Sequence, residues 1–101
     1  MAQFDVYQNT RNSTYPLPVD IQADVFAKLK SRLSVPLTPR PRHDQQITPL
    51  TPIVVINSQE YIFITALATA ILKAELKTPV ASLADQRSRL VAAFDLLITG
   101  S

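Results

Sequence analysis

Few residues in this chain have the types and spacing that chemistry requires. His43 is its one histidine, set between Arg42 and Asp44, so a Ser-His-Asp arrangement or a His-ligated metal has a single candidate and no second imidazole. A solvated loop histidine is the plainer assignment. With no cysteine there is neither a thiolate nucleophile nor Cys-ligated zinc, and the lone Gly100 excludes every glycine-rich phosphate loop. Acid-base work needs carboxylates brought together by the fold. Asp20 with Asp24 is the close pair, and Glu60 and Glu75 stand at the ends of candidate strands. None of these patterns demands an enzyme, and no cofactor or metal is expected.

The elements that would position such residues come from a chain of 101 residues, which predicts one domain spanning 1–101. At 47% hydrophobic and 18% charged residues it is too apolar to remain disordered. Met1 to Tyr7 carries Asp5 and no apolar core, unlike a signal peptide. The longest uncharged apolar run, Tyr61 to Leu72, is well short of the ~20 residues of a membrane span. A soluble, cytoplasmic protein is the expectation. A net charge of +2 with dispersed lysines and arginines does not predict a nucleic-acid surface, although an acidic protein partner fits.

Along the chain, Gln3 to Tyr7 alternates, with Phe4 and Val6 on one side and Asp5 and Tyr7 on the other, as in a half-buried strand. Leu17, Val19 and Ile21 form a second such stretch behind Pro16 and Pro18, and Leu33, Val35 and Leu37 a third, which Pro36 should confine to an edge or a bulge. Between them Val25, Phe26 and Leu29 have the spacing of a helical turn, and Lys28, Lys30 and Arg32 form a basic cluster read as solvated. Thr38 to Pro52 holds Pro39, Pro41, Pro49 and Pro52 and shows no apolar period, which predicts a projecting loop or a small wing. Ile53 to Ile56 and Tyr61 to Ile64 read as two central strands of a hairpin. Thr65 to Lys77 favours helix by propensity.

The strongest helical pattern is Ser82 to Ser101. Ser82 is placed to cap it, with Asp85 three residues on to close a capping box. Leu83, Leu90, Val91, Phe94, Leu97 and Ile98 share a face expected to meet the core, while Leu96 projects with Ala92 and Ala93 near Arg89 and so requires a second cover. Gly100 ends the helix in a left-handed conformation.

Taken in order, Gln3-Phe4-Asp5-Val6-Tyr7, Val19-Asp20-Ile21-Gln22-Ala23-Asp24, Arg32-Leu33-Ser34-Val35-Pro36-Leu37-Thr38-Pro39 and Phe94-Asp95-Leu96-Leu97-Ile98-Thr99-Gly100 resemble the CcdB family of bacterial toxins from end to end. The resemblance implies a mostly β fold, an SH3-like antiparallel barrel with a small wing and one C-terminal α-helix, working as a homodimer. It also implies a strand, not a helix, around Ala70 to Leu76. In function it implies a poison that binds the DNA gyrase A subunit and traps the enzyme on cleaved DNA, neutralised by a CcdA-like antitoxin. Direct nucleic-acid binding and membrane association are not implied.

Carried onto this sequence, the family's gyrase-facing positions are Ala23, Val25 and Phe26 in one patch and Asp95, Ile98, Thr99, Gly100 and Ser101 in the other. Leu96, Leu97 and Gly100 are expected at the dimer interface. Members of the family end in Trp-Gly-Ile or Ile-Thr-Gly-Ile, so Thr99 matches one branch and Ser101 departs from both. Two other readings stand beside this one. Related toxins of the same barrel are ribonucleases, for which Arg40, Arg42 and His43 would supply a phosphate clamp and a base. Ser101 also suits a module that has lost gyrase poisoning.

Overall fold

The computed structural model describes residues 2–8, 17–26, 28–39 and 49–100. Among these described residues seven strands, β1 (Asp5–Tyr7), β2 (Leu17–Asp20), β3 (Ser31–Pro39), β4 (Ile53–Ile56), β5 (Gln59–Phe63), β6 (Thr69–Leu72) and β7 (Pro79–Ser82), precede a single α-helix, α1 (Arg87–Thr99). The strands join in one antiparallel sheet of order β4-β5-β3-β2-β1-β7, with β6 added to β3. The mostly β architecture with one C-terminal helix is the one the family resemblance implies, its antiparallel sheet curled as a half-barrel. The wing expected between Thr38 and Pro52 falls largely on residues 40–48, outside the described residues.

The long strand β3 is the hub. It pairs with β2 from Leu17↔Leu37 to Asp20↔Ser34, with β6 over Ser31 to Ser34 and with β5 over Leu37 to Pro39. Pro36 therefore lies inside a central strand, contrary to the edge or bulge expected. It faces Pro18 across the β2 ladder, and on its other flank the partner changes from β6 to β5, so no continuous ladder there requires its missing N–H. Its carbonyl still accepts from Ile64 N at 3.1 Å. The buried side of β3 changes at the same place. Arg32 and Ser34 are buried at one end and Val35 and Leu37 at the other, leaving Leu33 exposed against the simple alternation.

The β4–β5 hairpin forms as its pattern requires, turning on Asn57 and Ser58, both at positive φ, as in the tight turns that match strand twist. Only β5 is central, however. Strand β4 ends the sheet, with Val54 and Ile56 inward and Val55 exposed. The helical propensity of Thr65 to Lys77 is expressed only as short 3-10 turns, Thr65–Leu67 and Lys73–Glu75, on either side of β6. The edge of β3 from Ser31 to Ser34 offers a ladder, and four backbone pairings outweigh propensities that differ by tenths of a kcal/mol. Tyr7, expected outward, is buried beside Val6. A bulge against β7 between Val6 and Tyr7 breaks the alternation.

Helix α1 begins later than its sequence signals suggest. Ser82 remains in β7 and its Oγ accepts from Ala84 N at 3.3 Å, which starts a 3-10 turn, Ala84–Gln86, before the α-helix opens at Arg87 without a side-chain cap. The expected capping box at Asp85 is not formed. Leu90 and Ala93 are buried, Val91, Phe94 and Leu96 are half-buried, and Phe94 meets Phe63 edge-on at 6.2 Å. Burial fades along the helix, so Leu97 and Ile98, expected on the core face, are exposed, whereas Ala93 lies inward. Gly100, at φ 76°, donates its N–H to Leu96 O at 2.9 Å and closes the helix as expected. Among the described residues no helix is long and apolar enough to cross a membrane.

Candidate protein-binding site

The sequence-expected contact residues fall on two structures. The first is the turn after β2, where Asp24–Phe26 form a 3-10 turn with Val25 81% and Phe26 55% exposed and Ala23 half-buried. Large apolar side chains left in water at a turn have no packing to hold them, so hydrogen bonds must set the turn's shape. Phe26 N donates to Ala23 O at 3.0 Å and Leu29 N to Phe26 O at 3.1 Å. Asp24 Oδ1 accepts from Gln3 N at 2.8 Å, which ties the turn to the segment before β1. Gln22 ties it to β3: its Nε2 donates to Phe26 O at 3.0 Å while its Oε1 accepts from Leu33 N at 3.1 Å.

Beneath the turn is a buried ion pair. Arg32 donates from Nε (2.9 Å) and Nη2 (2.6 Å) to Asp20 Oδ2, both side chains being fully buried, and Asp20 Oδ1 accepts from Gln22 N at 3.0 Å. Arg32 thus does not belong to the solvated cluster expected of it, while Lys28 and Lys30 are exposed as expected. Register explains the difference. Asp20 faces Ser34 in the β2–β3 ladder, and Arg32 is the diagonal neighbour on the same face. The Arg32 Nη1 group is buried with no hydrogen-bond partner among the described residues. Burial pushes the nearby Tyr7 hydroxyl above its ordinary pKa, the Asp5 and Asp20 carboxylates push the same way, and Arg32 opposes them.

The second structure is the end of α1. Ile98 is 77% and Leu97 43% exposed, Asp95, Thr99 and Gly100 are exposed, and Leu96 is half-buried. Thr99 Oγ1 donates back to Asp95 O at 2.6 Å, which engages the hydroxyl with its own helix. A Cβ built on Gly100 meets nothing within 4 Å, so its place depends on backbone conformation and not on crowding. Ser101 lies outside the described residues, as do Arg40, Arg42, His43 and Asp44.

Among the described residues, the carboxylates considered for acid-base chemistry do not assemble into a site. Asp20 is committed to Arg32 and Asp24 to the Gln3 amide, and among the described residues no group of three His, Cys, Asp or Glu is placed to hold a metal ion. The expected contact positions present two sets of exposed apolar side chains on hydrogen-bonded backbone, an arrangement for gripping a protein, while Val55, Leu67, Leu72 and Val80 are exposed elsewhere on the sheet and its turns. The sequence reading gives Gln22 no role and Arg32 only a place in a solvated cluster. A polar residue two positions after Asp20 is the local signal for Gln22, whereas the place of Arg32 follows from the β2–β3 register.

A family model described as CcdB protein matches residues 3–100. The chain belongs to the CcdB family. No match was found among curated proteins. Membership makes the chain a toxin-type partner of a toxin-antitoxin system, and the CcdB fold, a curled antiparallel sheet closed by one C-terminal helix, is the architecture described above.

Proposed function

We propose that this CcdB-family chain poisons DNA gyrase without catalysis of its own. In the cytoplasm a homodimer binds the gyrase A subunit through Ala23, Val25, Phe26, Asp95, Ile98, Thr99, Gly100 and Ser101, with Leu96, Leu97 and Gly100 at the dimer interface. No bond is made or cut by the toxin. Binding to the DNA-cleaved conformation alone shifts a cycling enzyme toward that state. A CcdA-like antitoxin, folding on the dimer from a disordered arm, would compete for or remove it. One observation carries this reading: Val25, Phe26 and Ile98, large apolar side chains at the positions to which the family resemblance assigns gyrase contact, are all more than half exposed.

Calorimetric titration of a gyrase A fragment with the wild-type chain, Phe26→Ser and a chain lacking residues 99–101 tests it. Removing a central apolar anchor from an interface typically costs about 2 kcal/mol, so Phe26→Ser should bind roughly thirtyfold more weakly, and the shortened chain, which loses the contacts of Thr99, Gly100 and Ser101, should also bind more weakly than wild type. Wild-type affinity in both variants would sink the assignment.

A further inference from the structure

We propose that Gln22 is a positioning residue for partner binding: it holds the Val25–Phe26 turn in the shape that the partner meets. The proposal rests on the reading that this turn contacts the gyrase A subunit. Asp24, Val25 and Phe26 are all exposed, so burial does not fix the turn. Of its ties to the sheet, the one on the Phe26 side runs through a single side chain. The Gln22 amide spends both ends, accepting from the β3 backbone at Leu33 and donating to Phe26 O.

That pairing sets the amide's orientation, because an N–H requires its oxygen and a carbonyl its NH2 group. Gln22 is itself held from behind. Its backbone N–H donates to Asp20 Oδ1, and the buried Arg32–Asp20 pair fixes that carboxylate. A chain of bonds therefore leads from the interior of the barrel through Asp20 and Gln22 to an exposed apolar turn. A turn ordered before contact loses less conformational freedom on binding than one ordered by the partner. Methionine can copy the length of Gln22 but neither end of its amide. Glutamate can copy the acceptor but not the donor, so it keeps the bond to Leu33 and cuts the one to Phe26.

The test uses the full chain as wild type, Gln22→Met, Gln22→Glu and Phe26→Ala, titrated with a gyrase A fragment, together with amide hydrogen exchange on the free proteins. Both Gln22 variants are expected to bind roughly tenfold more weakly. Exchange at the Phe26 and Leu29 amides should quicken at least about tenfold while the Val19 and Val35 amides keep wild-type rates, a local loosening that general destabilisation would not produce. If Gln22→Met does not fold, Gln22→Glu decides alone. Wild-type affinity or wild-type turn exchange in Gln22→Glu, with Phe26→Ala weakened, overturns the positioning role. Wild-type affinity in Phe26→Ala overturns the assignment of the turn as a contact, and the proposal with it.

Discussion

Asp20 and Arg32 show how one buried pair can organise residues far from it in character. Each is fully buried, and the bonds between them and to Gln22 N leave neither carboxylate oxygen unpaired. Removing one partner strands the other as a desolvated charge, which typically costs about 3–5 kcal/mol, whereas removing both leaves no charge behind. Asp20→Ala and Arg32→Ala should each lower the free energy of urea unfolding by that amount, and the double variant should lose clearly less than the sum. Strict additivity would mean that the two groups are not coupled. Phe4 illustrates a different residue-scale tension. It is buried in a left-handed backbone conformation, φ 69°, rare for a bulky side chain, and is held by bonds from its N–H to Asp20 O and from Leu83 N to its carbonyl. Burial at the junction of β1, β2 and the approach to the helix keeps it there.

Among the elements, the β4–β5 hairpin turns on left-handed residues and α1 ends on one. In the hairpin turn both Asn57 and Ser58 adopt positive φ, 51° and 66°, and serine is not a residue that favours that region. Ser58→Gly should relieve the strain and raise stability by about 1 kcal/mol, read as a higher midpoint of thermal unfolding; a lower midpoint would contradict the turn geometry. Helix α1 is docked at its start and middle, by Leu90, Ala93 and Phe94 and by Arg89, which donates to Gln86 Oε1 at 2.6 Å and to Ile53 O at 2.8 Å. The last bond fastens the helix to the edge strand β4. Arg89 therefore binds Gln86 and the sheet where spacing alone would pair it with Asp85.

For the whole molecule, the exposed end of α1 sets an expectation for assembly. Leu97 remains exposed and Leu96 half-buried in the isolated chain, and two copies that share a two-fold axis would cover the same patch twice with one contact. Sedimentation at micromolar concentration should give a species of twice the 11.2 kDa chain mass. Leu97→Glu, at a site exposed enough to tolerate charge in one protomer, should shift it toward the single-chain mass by desolvating a carboxylate in the interface. A dimer that survives the substitution would put the interface elsewhere.

Sequence alone determined the mostly β character, the β4–β5 hairpin, a helical turn around Val25 and Phe26 and the helix with its Gly100 stop, because alternation, turn chemistry and the glycine stop are local properties of neighbouring residues. The run of motifs from Gln3 to Gly100 also carried the family. Tertiary structure decided what depends on neighbours distant in the chain. Strand β6 formed against propensity because β3 offered an edge, and Tyr7 turned inward at a bulge that no alternation encodes. The C-terminal stripe lost its last turn to solvent because a helix pattern states which residues align, not how far the sheet beneath them reaches. The buried Arg32, the least legible of all, became visible only with the β2–β3 register, which places its guanidinium beside Asp20 across the ladder, where two charge-assisted bonds to one carboxylate oxygen permit a charge to leave water.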